Sequence, residues 1–319
     1  MYNFIRIYRP MTIAFIHPHQ SFLQNIEAYA DFFSSYGIST GIYYPRDDRQ
    51  ISADIAWHFM GSDTHANKNT VTIHEYASTS VPPFSNWKNR VKKWINVTPD
   101  YRIFNSQFVK DAFYFKDDVP SGIREYGILP PEPEVLSQAE KIYDFVYVGT
   151  VGKERKLQSL FDCFSSGVLK DRSLLVLSNH YTGLARTLQS CRNIHFRGPV
   201  SYREVRGWIQ QCRYGLNFMP DIFPFNQQIS AKLLDYAAAG IPIVSTDYTW
   251  VRNFQAKYGG NFYYLREDLS NFCWEAITRY HYATPNLEDW TWEKQIRKSG
   301  VLEFLYSRLG VEFGLRAGF

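Results

Sequence analysis

The chain of 319 residues is 45% hydrophobic, 17% aromatic and 21% charged, which is enough for two domains of ordinary size with a core each and excludes a disordered chain. A formal net charge of +4 is too small a basic excess to imply a nucleic-acid partner, although a nucleotide ligand or an anionic membrane surface stays compatible with it. The four cysteines, Cys163, Cys191, Cys212 and Cys273, show neither C-x-x-C pairing nor metal-ligand spacing, so they read as reduced core thiols.

The opening MYNFIRIYRPM lacks the apolar stretch and small-residue cleavage site of a signal peptide, and no apolar run is long enough to span a bilayer. A cytoplasmic location is expected, and the triplet Asn96-Val97-Thr98 is read as a chance sequon. MTIAFIHPHQ predicts a buried strand over Thr12 to Ile16 followed by a loop, and Phe22, Ile26, Tyr29, Ala30 and Phe33 recur at helical spacing up to Gly37. Ile38 to Tyr44 returns to strand. This order is a Rossmann-like unit, in which ligands gather at the carboxyl ends of strands, so His17 and His19 fall at a site edge. Further strands are expected at Ile55 to Phe59, Thr70 to Ile73 and Tyr101 to Phe104. His74 and Glu75 directly follow the second of these, and either can take a proton.

FSNWKNRVKKWIN, from Phe84 to Asn96, puts Trp87, Val91, Trp94 and Ile95 on one helical face with Lys88, Arg90, Lys92 and Lys93 around it. Such a face can lie on anionic lipid. Asn105-Ser106 caps a helix over FVKDAFYF. A linker rich in Pro and Glu, Leu129 to Lys141, then marks the domain boundary, and a new strand runs from Tyr143 to Gly149.

GTVGKERK, from Gly149 to Lys156, follows that strand and precedes a helix. Its glycines allow close backbone approach and Lys153, Arg155 and Lys156 supply cations, so it can hold a diphosphate, the plainer reading being a solvated basic loop. LLVLS, NIHFRG and YGLNFM continue the α/β alternation. NFMPDIFPFNQQISAKLLDYAAAGIPIVSTD, from Asn217 to Asp247, reads as loop, helix and strand: Ser230 caps the helix, and Gly240 and Pro242 stop it before the β-branched run. Free N–H groups at that helix start attract phosphate, Lys232 lies in its first turn, and Asp235 shares its face three residues on. An ammonium beside a carboxylate suits the phosphates and ribose of a nucleotide; a surface helix with a solvated Lys and Asp is the alternative.

This segment resembles the C-terminal domain of sugar-nucleotide-dependent glycosyltransferases of the GT-B fold, the family-4 type and its relatives, whose pattern is P-S-x-x-E-x-F-G-x-x-x-x-E-A-M-A-x-G-x-P-V-V. LLDYAAAGIPIVSTD aligns with its second half; IFNSQFVKDAF, GIREYGI, NIHFRGPVS and the closing WTWEKQIRKSGVLEFLYSRL are similar to further family segments. The resemblance implies an α/β chain of two Rossmann-like domains facing each other, with an acceptor-side domain at 1–135, a nucleotide-sugar-binding domain at 136–290 and a C-terminal helical segment at 291–319.

It also implies roles. Asp235 takes the place of the acid that holds the donor ribose, and Lys232 matches a phosphate-binding Lys of some relatives. Gln227 replaces the Glu that contacts the donor sugar, and Gln228, Ile229 and Ser230 complete that donor-binding stretch. Of the family's two diphosphate-gripping cations, Lys156 matches the second and Thr150, beside Gly149, replaces the first, a loss for which Lys232 compensates. Arg197 and Gly198 are assigned to the nucleobase. Glu75 is the first candidate base, ahead of His17 and His19, because His74-Glu75 resembles an acceptor-site H-D motif. No D-x-D motif occurs, so cations and a helix start replace a metal and no cofactor is needed. The expected activity is transfer of a sugar from a nucleotide-diphosphate sugar to a lipid-linked or polysaccharide acceptor, from the cytoplasm or the inner face of the cell membrane. A non-hydrolysing sugar-nucleotide 2-epimerase and a non-catalytic nucleotide-sugar-binding protein are the alternatives.

Overall fold

The computed structural model describes residues 11–18, 24–44, 52–60, 62–64, 69–80, 84–130, 140–152 and 155–313. His19 and Lys153 lie outside them, as does most of the linker. The chain divides into two compact units, Met1–Gly127 with Trp292–Phe319, and Ile128–Thr291. The first unit therefore ends before the expected linker, and the C-terminal helical segment belongs to it.

In the first unit six strands, β1 (Thr12–Ile16), β2 (Ser39–Tyr43), β3 (Ile55–Phe59), β4 (Val71–Tyr76), β5 (Tyr101–Phe104) and β6 (Ser121–Ile123), form one parallel sheet in the order β2-β1-β3-β4-β5-β6. The order reverses between β1 and β3, so that pair is the topological switch point. Parallel strands are covered on both faces and tolerate apolar runs. Helix α1 (Gln24–Ser34) packs Ile26, Tyr29 and Phe33 onto Phe15, Trp57 and Ile73. Two closing helices, α10 (Trp292–Lys298) and α11 (Val301–Leu309), contribute Ile296, Val301, Leu302 and Leu305 to the same core.

The strand expected to end at Ile73 continues to Tyr76, which draws His74 and Glu75 into a buried strand. Its polar end signal misleads because those charges have partners inside the fold. Ser106 caps α3 (Gln107–Phe113) as expected, accepting from Val109 N–H at 3.3 Å. No helix of the described residues is long and apolar enough to cross a membrane.

The second unit holds β7 (Tyr143–Val148), β8 (Leu174–Leu177), β9 (Ile194–Arg197), β10 (Cys212–Asn217), β11 (Ile243–Thr246) and β12 (Tyr263–Leu265), all parallel, in the order β12-β11-β10-β7-β8-β9. Here the order reverses between β7 and β10. Helix α6 (Tyr202–Gln210) and helix α7 (Ala231–Ala238) flank this sheet, and the core gathers Phe145, Tyr147, Phe161, Phe164, Leu216 and Val244.

Candidate functional site

Helix α7 begins where the sequence places it. Ser230 has extended backbone, accepts from Leu233 N–H and donates to Asn217 Oδ1 at 2.6 Å, while Asn217 Nδ2 donates to Ser245 and Tyr248. The Ser230 hydroxyl is thus spent on fixing the helix start, and only the backbone and the next turn remain for a ligand.

Lys232 is buried, with Nζ 5.2 Å from the centre of the Tyr147 ring and 3.4 Å from Phe218 O. Tyr147 belongs to β7 and Phe218 follows β10, so the ammonium lies at the carboxyl ends of the two strands that part at the switch point. Gly149 lines the same place, since a Cβ built on it would meet Lys232 Cε at 3.9 Å. Arg155 reaches in from the basic loop, 3.1 Å from Met219 Sδ and 4.8 Å over the Phe225 ring. Burial pushes Lys232 down to about 7 and the Arg155 guanidinium pushes it the same way. Among the described residues no carboxylate pairs with either cation. A buried amine beside a half-buried guanidinium, with no carboxylate of the described residues paired to either, forms a site that an incoming anion stabilises.

The remaining donor-side residues are distributed around this point. Asp235 is buried one turn further along α7 and lines a cavity with Leu129, Tyr202, Val205, Arg206 and Ile209, beneath α6. Gln227 ends a 3-10 turn, Phe225–Gln227, and with Gln228 and Ile229 is half-buried just ahead of Ser230. Tyr147 OH donates to Thr150 O at 2.9 Å, which shapes the loop after β7. Lys156 is exposed, with φ of 50°. Arg197 is exposed over the Trp208 ring. Gly198 has φ of 142°, and an added Cβ would stand 2.1 Å from Ser178 O, so only glycine fits there.

In the first unit the structure corrects the reading of Glu75 and His74. Glu75 is 0% exposed. Its Oε1 accepts from Asn25 Nδ2 at 2.8 Å and from Arg124 Nη2, and its Oε2 accepts from Tyr29 OH and Trp57 Nε1, both at 2.9 Å. A general base must reach its substrate, and this carboxylate is fully occupied inside the core. It anchors β4 to α1, β3 and the segment after β6. His74 is likewise 0% exposed, with Nε2 2.8 Å from Asp63 Oδ2. His17 follows β1, half-buried, with its ring 5.8 Å from that of Tyr44.

Sequence reasoning did not anticipate that His58 and Asp63 would meet His74. His58 pairs with His74 across the β3/β4 register, and Asp63 Oδ2 lies 3.6 Å from His58 Nε2. The two histidines three residues into their strands are a signal only once the register is known, and Asp63, in a polar loop, carries none.

No family model and no curated protein matches the sequence. Solved structures do. Sucrose-phosphate synthase from Thermosynechococcus elongatus superposes with a TM-score of 0.58 at 11% identity, covering 90% of this chain and 92% of that one. HepE of Anabaena, in complex with UDP and glucose, gives 0.54 at 12%, covering 82% and 88%. UDP-GlcNAc 2-epimerase of Methanocaldococcus jannaschii, in complex with UDP-GlcNAc and UDP, gives 0.50 at 12%, covering 92% and 99%. Likenesses at this identity establish the fold alone, the two Rossmann-like domains of the GT-B kind that these transferases and the epimerase share.

Proposed function

We propose that the protein is a glycosyltransferase that takes its sugar from a nucleotide-diphosphate sugar and binds the diphosphate in the second unit, at the β7/β10 switch point. The observation that carries this is the buried Lys232 with the half-buried Arg155 guanidinium near it, beside the loop after β7 and the start of α7. A diphosphate supplies the counter-ion that the described residues do not. Asp235 then takes the ribose, and the main chain around Gly198 reads the base. UDP is the first nucleotide to test, because HepE was solved with UDP and glucose. Neutralisation by fixed cations and backbone N–H groups makes the reaction independent of a metal.

For the acceptor we propose a lipid-linked or polysaccharide glycan at an anionic membrane surface. Helix α2 (Ser85–Ile95) supports this, because Trp87 and Trp94 are 65% and 86% exposed on it. Phe84, just before it, holds φ of 62°, a costly conformation for a bulky side chain, with 76% of its surface exposed. Arg90 is exposed beside them. Lys93 has a different task, since its Nζ donates to Phe113 O and Tyr114 O at the end of α3.

Calorimetric titration with UDP tests the donor site. Lys232→Ala and Asp235→Ala should each weaken binding roughly ten- to a hundredfold through loss of a charge-assisted hydrogen bond. Unchanged affinity in both folded variants would remove α7 from the donor site.

A further inference from the structure

Asn217, the last residue of β10, is fully buried opposite Ser245 at the end of the β10/β11 ladder. Its side-chain amide makes three hydrogen bonds whose directions are fixed by the neighbours. Ser230 Oγ accepts from Leu233 N–H at 3.4 Å, so its own proton goes to Asn217 Oδ1 at 2.6 Å. Ser245 Oγ donates to Thr246 O at 2.8 Å, so it accepts from Asn217 Nδ2, also at 2.8 Å, and the second amide proton goes to Tyr248 OH at 3.1 Å. Thr246 Oγ1 in turn donates to Met219 O at 2.7 Å and accepts from Met219 N–H at 3.0 Å. These bonds tie down two segments at once. One is the start of α7, which carries Lys232; the other is the loop after β10, whose Phe218 O lies 3.4 Å from Lys232 Nζ and whose Met219 Sδ lies 3.1 Å from Arg155 Nη1. Every side chain of the network is uncharged, the Tyr248 phenol being pushed up to about 12 by burial, with Asn217, Ser230 and the Arg155 charge opposing.

We propose that Asn217 is the positioning residue of the nucleotide site: it holds Lys232 and the Phe218–Met219 loop in place and, by being neutral, leaves their positive charge to the ligand's diphosphate. This deepens the donor-site reading above and rests on it. A buried polar network stabilises only when every member is paired, and an amide meets that demand here with one acceptor and two donors. A carboxylate of nearly the same shape could replace it, taking protons from the Ser230, Ser245 and Tyr248 hydroxyls once the last two turn. It would, however, set a fixed anion in the residue next to the carbonyl that meets Lys232. In a desolvated interior such a charge neutralises the ammonium and competes with the incoming phosphates. The side chain at 217 therefore sets two separable quantities, the geometry of the α7 start and the charge that remains for the ligand.

The test is calorimetric binding of UDP, GDP and inorganic pyrophosphate at pH 7.5, with urea unfolding alongside, for wild type, Asn217→Asp, Asn217→Ala and Ser245→Ala. Asn217→Asp should bind roughly a hundredfold more weakly, and pyrophosphate should suffer as much as the nucleotide because the effect falls on the phosphates. Asn217→Ala releases the tether without adding charge and should lose roughly tenfold. A network that serves the fold alone would lower the urea midpoint yet leave every folded variant within about twofold of wild-type affinity, and that result would overturn the proposal. So would an Asn217→Asp protein that binds as well as Asn217→Ala, since the charge at 217 would then be immaterial. If neither Asn217 variant folds, Ser245→Ala decides, because it strips one partner from the amide: weaker binding supports the proposal and unchanged binding overturns it. A wild-type protein that binds none of the three anions would instead overturn the donor-site reading, and the role of Asn217 with it.

Discussion

Replacing Lys232 by methionine should flatten the pH dependence of nucleotide binding and, in the same stroke, stabilise the ligand-free protein. In the free site burial and Arg155 bring the ammonium down to about 7. A bound diphosphate supplies the missing anion and returns it toward the ordinary Lys value of about 10.4. Above pH 7 the free protein therefore has a neutral Lys232 that must take up a proton on binding. Each unit of pH then costs about tenfold in affinity, or about 1.4 kcal/mol, so binding at pH 9 should be roughly 25-fold weaker than at pH 7.5. The terminal phosphate, with a second pKa of about 6, is ionised throughout that range and adds nothing. Calorimetry of UDP binding at pH 8.5 in buffers of different ionisation enthalpy should register uptake of about one proton by wild type and none by Lys232→Met.

The same shift acts on folding. Because the folded value lies below the unfolded one, the unfolded chain holds the proton more tightly. The associated stability is complete above about 10.4 and is lost as pH falls through about 7. At pH 6 to 7 Lys232→Met should thus raise unfolding free energy by roughly 3 to 5 kcal/mol in urea titrations while weakening UDP binding. Affinity of wild type that is flat from pH 7.5 to 9, or no proton uptake, would refute this reasoning.

The buried Glu75 anchor predicts that Glu75→Ala, which strands Arg124, costs about 3 to 5 kcal/mol in denaturant unfolding; a folded variant of wild-type stability but no activity would restore Glu75 as a base. Gly198→Ala should lose more than about 2 kcal/mol, because the new methyl meets Ser178 O in a backbone conformation that alanine resists, and an unchanged urea midpoint would contradict that. On anionic vesicles, Trp87→Ser with Trp94→Ser should reduce sedimentation roughly tenfold or more, whereas equal retention would make α2 an ordinary surface helix. Turnover should survive excess EDTA; strict dependence on added magnesium or manganese would count against cation-only neutralisation.

Much of the fold is legible in the residues because parallel strands declare themselves as short apolar runs and helix starts as capping residues. Thr12 to Ile16, Ile55 to Phe59, Tyr101 to Phe104, Ser106 and Ser230 all serve as their local chemistry predicts. The place of Lys232 in the first turn of α7 is legible for the same reason, since a residue two positions after a cap is a local pattern. What is not legible depends on contacts distant in sequence. Glu75 reads as a surface acid until Arg124, 49 positions away, meets it along with Asn25, Tyr29 and Trp57. The closing helices read as a separate segment until Ile296 and Leu305 are found in the first unit's core. The meeting of His58, His74 and Asp63 emerges only from the register of β3 on β4.

Mass spectrometry of the products formed from UDP- and GDP-sugars with a panel of lipid-linked and glycoside acceptors tests the transferase claim most directly. The account predicts an acceptor heavier by one sugar residue together with stoichiometric nucleoside diphosphate. An isomerised donor with no acceptor adduct would make the protein an epimerase, and an unaltered donor that nevertheless binds would make it a nucleotide-sugar-binding protein without catalysis.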